Sequence, residues 1–226
     1  TLEEEEAIAG LAKQNPGLRI QVGFQYLFSS AVRKALLLWQ SGIFGKPIHF
    51  DFRYYHGDYL RKDYRDRRQS RLTPAPDGGA MADLGSHAIS LLIAFLGTDL
   101  HITAAVKAGS FEDVNSASDL YSQITIRDSA SGAAGTVAAS RVSAGTGDQL
   151  SFELFTENGA LRYSSITSDY FEYYLETEGI WKRQLTGSSY PPVTNFPSGH
   201  VPAGWLRAMV HAHYLFLTGR SDEPFI

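Results

Sequence analysis

Lys46-Pro47-Ile48-His49-Phe50-Asp51-Phe52-Arg53-Tyr54-Tyr55 decides how this chain is read. Ile48, Phe50, Phe52 and Tyr54 alternate with His49, Asp51, Arg53 and Tyr55, the period of a strand that buries one face. Downstream, strand patterns are expected over 101–108, 119–127, 134–142, 149–156, 160–164, 170–176 and 180–185. Turn signals such as Asp128-Ser129, Gly145-Thr146-Gly147 and Asn158-Gly159 separate them and favour antiparallel neighbours. Ser29 and Ser30 are expected to cap a helix over about 30–41, in which Val32, Leu36 and Trp39 share a face and Gly42 is the stop. Further helices are expected over about 80–96, stopped by Gly97, and over about 203–218. The fold class is therefore α+β: a mainly antiparallel open sheet with helices on one face.

Working outward, Thr1 and Glu4 have the spacing of a capping box, and the acidic run Glu3 to Glu6 suits a helix N-terminus, so a helix is expected through about Gln14. Asn15-Pro16-Gly17 breaks it, and residues 18–23 are expected to form a short strand. A helix and strand with no earlier strand suggest the tail of a larger α/β domain, so the chain is expected to be a fragment. Residues 57–79, charged and then rich in Pro and Gly, read as a long functional loop.

With 43% hydrophobic and 19% charged residues the composition is that of a folded globular chain, not a disordered one. A net charge of -4 and a pI near 6.0 argue against nucleic acid as a partner. No cysteine is present, which excludes disulfides, cysteine metal sites and thiol nucleophiles together. Charges interrupt every apolar stretch well before the roughly 18 to 20 residues that span a bilayer, so no membrane association is expected. A cytoplasmic location is the expectation, with export left open.

No phosphate-binding loop is found: Gly145 and Gly147 are followed by Leu150 where the third glycine of a dinucleotide fingerprint belongs, and they lie between strands. The informative stretch is Gly78-Gly79-Ala80-Met81-Ala82-Asp83-Leu84-Gly85-Ser86-His87. Asp83 and His87 stand at i,i+4 on one helix face, where a carboxylate can orient an imidazole for general acid-base work. The same spacing also fits a helix-start aspartate beside a satisfied core histidine, and spacing alone leaves both readings open. Ser86 lacks a nucleophile elbow, and His211 and His213 are two residues apart on different helix faces, with His200 upstream, so neither a serine hydrolase nor a metal site is expected. Arg61, Lys62, Arg65, Arg67, Arg68 and Arg71 make a basic loop that Asp58, Asp63 and Asp66 offset, which reads as a salt-bridged surface or a site for an acidic substrate.

Several short pieces, in order, resemble the glucose-fructose oxidoreductase, inositol dehydrogenase and MocA family of nicotinamide-dependent oxidoreductases. They are Gln21-Val22-Gly23-Phe24, Ser41-Gly42-Ile43-Phe44-Gly45-Lys46-Pro47, Gly78-Gly79 leading into Asp83-Leu84-Gly85-Ser86-His87, Asn158-Gly159-Ala160-Leu161-Arg162 and Gly199-His200-Val201-Pro202-Ala203-Gly204-Trp205. The resemblance implies a Rossmann domain that holds NAD or NADP, followed by an α+β domain that supplies the open sheet and most of the substrate site. On that basis residues 1–23 would be the remnant of the dinucleotide-binding domain and 24–226 the substrate and dimerisation domain. It also implies Asp83 and His87 as catalytic residues and Tyr26, Arg71 and His200 as substrate-binding residues. Two departures stand out: Ser70 occupies a position where many members have Trp before Arg, and Leu27 one where they often have Arg after Tyr.

The activity implied is hydride transfer between NAD(P) and a sugar, polyol or related hydroxyl or carbonyl substrate, with neither NAD nor NADP expected on this fragment alone. An NAD-dependent glycoside hydrolase and a non-catalytic binding or assembly module are the alternatives. A homo-oligomer, most simply a dimer, is expected through the open sheet face. Strands such as 120–126 and 150–155 carry apolar residues that one helical layer covers on one side only.

Overall fold

The computed structural model describes residues 2–72, 79–109, 111–114, 118–186 and 203–219. Eight strands make one sheet: β1 (Pro47–Tyr55), β2 (Leu100–Ala108), β3 (Tyr121–Asp128), β4 (Ala134–Ser140), β5 (Gln149–Thr156), β6 (Gly159–Ser164), β7 (Tyr170–Leu175) and β8 (Ile180–Leu185). Their order is β2-β3-β4-β1-β5-β6-β7-β8. Two antiparallel meanders thus flank β1, which pairs antiparallel with β5 and parallel with β4. The helices are α1 (Leu2–Gln14), α2 (Ser30–Gln40), α3 (Lys62–Arg67), α4 (Ser86–Leu96) and α5 (Ala203–Thr218). The mainly antiparallel α+β fold expected from the alternation is the fold observed.

The alternation in β1 sorts its side chains as the sequence requires. Phe50, Phe52 and Tyr54 are buried, and in register with Phe52 lie Val137 on β4 and Phe152 on β5. The rings of Phe52 and Phe152 stack at 5.2 Å, and Phe95 of α4 closes over Phe152 at 4.9 Å. Ala88, Leu91, Leu92 and Phe95 repeat at helical spacing and form the buried stripe of α4. α2 contributes Val32 and Leu36, and Trp39 donates its indole N–H to the Phe95 carbonyl at 2.8 Å. α5 packs chiefly on the 3-10 turn Gln25–Phe28 and adds Ala208, Ala212 and Leu215 to the core. At Gly135 of β4 a Cβ would lie 2.0 Å from the Phe50 carbonyl oxygen, so only glycine lets β4 pass Phe50 so closely.

Four expectations are corrected. Residues 18–23 form no strand: among the described residues the eight strands pair with one another in one sheet and none pairs with this segment. That segment is tied instead by Arg19, whose guanidinium donates to the carbonyls of Phe216 and Leu217 at the end of α5, where a cation suits the helix dipole. The stretch after residue 57 is no structureless loop, since 3-10 turns at Asp58–Leu60 and Gln69–Arg71 flank α3. They enclose a second small core of Tyr59, Leu72, Val114 and Leu120. Arg65 fastens it with a two-nitrogen ion pair to Asp113 and a guanidinium 4.1 Å over the Phe111 ring. Ser29 precedes α2 without its hydroxyl capping the helix; that hydroxyl meets the Tyr163 phenol at 3.4 Å.

The fourth correction concerns the outer face of the sheet. Of the strands expected to leave apolar area there, Ile124, Ile126, Leu150, Phe152 and Leu154 belong to the helix-covered core, and only the alternate positions, such as the half-buried Phe155 stacked on His49 at 4.3 Å, lie on the other face. The opposite face carries Asp51, Arg53, Glu153, Arg162, Glu172 and Arg183, linked Arg53 to Asp51 and Glu153 and Glu172 to Arg162 and Arg183. Thr1, Gly78 and His200 lie outside the described residues.

Candidate functional site

Parallel pairing sends the C-terminal ends of β1 and β4 to the same edge of the sheet. There the His56 N–H donates to the Ser140 carbonyl at 2.9 Å and the Tyr59 N–H to the Arg141 carbonyl at 3.2 Å. The segment that carries Asp83 and His87 crosses this edge. Its entry is fixed by Asp119, whose backbone carbonyl accepts from Ala80 at 3.1 Å and whose carboxylate accepts from the Met81 N–H at 2.9 Å. Gly79, at φ 113, passes directly beneath that carboxylate, where a Cβ would sit 1.5 Å from an oxygen. From Met81 to Gly85 the chain makes one π-helical turn before continuing as α4. Such turns recur where a helix bends its register around a site.

His87, two residues into α4, faces three aromatic rings edge-on: Phe24 at 5.5 Å, Tyr26 at 5.7 Å and Tyr54 at 5.8 Å. Its Nδ1 is buried and has no hydrogen-bond partner among the described residues. Burial holds the imidazole below its ordinary pKa, and the nearby Asp83 charge opposes that shift. The ring is thus neutral at pH 7 and able to accept a proton. The phenols of Tyr26 and Tyr54 meet at 3.1 Å. Burial pushes Tyr54 up to about 12 and Tyr26 higher still, so both stay protonated donors.

The expectation that Asp83 orients His87 is not met in this arrangement. No hydrogen bond joins them; one Asp83 oxygen, Oδ2, accepts from the Arg71 Nη1 at 2.9 Å and from the Arg141 Nη2 at 2.8 Å. Tyr26, Arg71, Asp83 and His87 are nevertheless brought together, and of the five residues singled out in the sequence only His200 falls outside the description. Arg141 and Tyr54 were not singled out. Arg141 follows the small, mostly apolar run Val137-Ala138-Ala139-Ser140, and a full charge at the end of such a strand was the available signal. Asp148 is a further participant: it alone among the described non-glycine residues has positive φ, at 43, and its charge adds to the upward push on Tyr54.

Gly145 and Gly147 lie in the connection between β4 and β5, with no helix following them. These residues do not fit a pyrophosphate, which needs consecutive N–H groups at a helix N-terminus. Among the described residues no group of three or more His, Asp or Glu could hold a metal, and no helix is long and apolar enough to cross a membrane.

The fold and this edge site together define an α+β domain with an open sheet and a histidine-carboxylate site at the end of its parallel strand pair. Residues 32–162 match the model of the GFO/IDH/MocA C-terminal domain, and the chain belongs to that family. It is similar in fold to an NAD binding oxidoreductase from Klebsiella pneumoniae (TM-score 0.78, 21% identity, covering 98% of this chain and 62% of that one). It is similar also to an oxidoreductase domain protein from Kribbella flavida (TM-score 0.79, 22% identity, 99% and 64%). A third similar structure is an inositol dehydrogenase homolog from Azotobacter vinelandii, complexed with NAD+ (TM-score 0.78, 19% identity, 100% and 60%). The chain thus spans less than two thirds of the length of each of these three. Among curated proteins, none matches it.

Proposed function

We propose that this chain is the substrate-side part of an NAD(P)-dependent oxidoreductase that acts on a hydroxyl or carbonyl of a sugar, polyol or related molecule. The observation that carries the reading is the convergence of Asp83, His87, Tyr26 and Arg71 at one sheet edge. Structures of similar fold include NAD-bound and myo-inositol-bound inositol dehydrogenase homologs and a levoglucosan dehydrogenase with NADH and levoglucosan, which supports the substrate class. Residues 1–23 would then belong to a dinucleotide-binding domain and 24–226 to the substrate domain. When bound, the dinucleotide supplies or takes the hydride. Gly145 and Gly147, with no helix after them, do not fit its pyrophosphate.

The chain's own residues handle the proton and the hydroxyls. Neutral His87 accepts the proton of a substrate hydroxyl during oxidation and returns it during reduction. The Tyr26 and Tyr54 phenols are bonded to each other, so a substrate oxygen takes a proton from the pair only in exchange for that contact, and Arg71, half-exposed, exchanges its bond to Asp83 for one to the substrate. In the complete oxidoreductase, His87→Ala should lower kcat by about 100-fold to 10,000-fold while leaving dinucleotide affinity nearly unchanged. Nicotinamide absorbance with a panel of polyols and sugars reads both quantities. Normal turnover by the variant would remove His87 from the reaction. A second copy is proposed to pair on the open face, tested by light scattering with and without high salt.

A further inference from the structure

We propose that Arg141 is a positioning residue of the Asp83–His87 site, its buried guanidinium holding the carboxylate against the end of β4 and away from the imidazole. The inference rests on the functional reading above. Its observations are geometric. The Arg141 side chain is 2% exposed. Nη2 donates to Asp83 Oδ2 at 2.8 Å, Nη1 donates to the Arg71 carbonyl at 2.6 Å, and the guanidinium lies 5.1 Å over the Tyr59 ring. The backbone on either side is pinned as well, since the Arg141 N–H donates to the Leu120 carbonyl at 2.8 Å and its carbonyl accepts from Tyr59.

The buried guanidinium is held at these points and gives its Nη2 to Asp83, the one carboxylate paired with it among the described residues, while its Nε has no partner there. Arg71 donates to the same oxygen, but its side chain is 54% exposed and anchored by no second bond among the described residues, so it is the replaceable partner. The i,i+4 spacing would otherwise offer Asp83 to His87, whose Nδ1 is left without a partner. Arg141 therefore separates the two: it keeps the carboxylate at the floor of the site and leaves the imidazole free for the substrate.

The test is an NMR titration of the His87 imidazole in the full 226-residue chain, assigned by loss of its signal in His87→Gln. The groups that face this ring are Asp83 from its own helical segment, Phe24 and Tyr26 from the segment before α2, and Tyr54 from β1. Both tyrosines titrate far above the window, so Asp83 is the one facing group whose charge matters there. Arg141→Gln should release Asp83 toward His87 and raise its midpoint by about half a pH unit or more, roughly threefold in proton affinity. Adding Asp83→Asn should abolish that rise. Arg71→Gln, with Arg141 intact, should leave the midpoint within about 0.2.

A folded Arg141→Gln with an unmoved His87 midpoint would overturn the proposal, as would a threefold rise in Arg71→Gln alone. The Arg71→Gln arm decides the matter if Arg141→Gln does not fold. A failure of the functional reading looks different: the titration coupling persists while His87→Ala leaves turnover of the complete oxidoreductase normal.

Discussion

The two faces of the sheet are built from the same strands and obey different physics. On the helix-covered face, Phe52 is fully buried between Phe152 and Phe95. One residue along, Arg53 points to the open face, 42% exposed, and pairs with Asp51 and Glu153. Apolar area removed from water carries the first face, whereas the second is a ladder of charges interleaved with rings such as Phe155, Tyr170 and Trp181, and its ion pairs gain little individually. The same comparison explains where chemistry sits. On the covered side, at the end of β1, burial shifts His87 and Tyr54, the two groups there that meet in the candidate site.

The largest expected contrast is between neighbours in β1. Phe52→Ala should cost about 3 to 5 kcal/mol of stability through lost burial and the cavity left behind, and Arg53→Ala about 1 kcal/mol or less. Urea unfolding of both variants measures this, and equal losses would break the distinction between the faces. Next, Gly135→Ala should cost about 1 to 3 kcal/mol, because its methyl meets the Phe50 carbonyl oxygen and the near edge of the buried Phe50 ring, neither of which can swing away. A neutral result would mean that β4 can shift away from β1.

A smaller effect is expected from pH. Burial lowers the pKa of His56, His87 and His211 in the folded chain. Below about pH 6.5 the unfolded chain takes up protons at these positions that the folded chain resists. Their contribution to stability is therefore complete above that pH and declines as the pH falls beneath it. Urea midpoints at pH 7.5 and 5.5 test the sign, and a more stable chain at the lower pH would contradict it. The smallest effect belongs to the open face: Glu172→Gln, which removes the shared partner of Arg162 and Arg183, should change stability by about 1 kcal/mol or less and by still less in high salt. A larger loss, measured by the same unfolding, would show that the ladder contributes more than solvated pairs do.

The period of two in residues 48–54 and in the downstream strands was enough to determine the α+β class, because alternation depends only on which side chains a pleated strand can bury. Helix stops at Gly42 and Gly97 were legible for a comparably local reason, since both adopt positive φ. The i,i+4 spacing also brought Asp83 and His87 to notice. The sequence could not show that β1 inserts between the two meanders and runs parallel to β4, because pairing partners are chosen by packing across the whole sheet. Nor could it show that residues 18–23, with strand-like composition, pair with no strand among the described residues. Arg141 reads in sequence as the end of one strand. It meets Asp83, 58 residues away, only because the parallel pair ends at the edge that the π-helical turn crosses. Local patterns determined the elements and the candidate pair, and the partner that holds the carboxylate was decided by long-range packing, which no short stretch of sequence encodes.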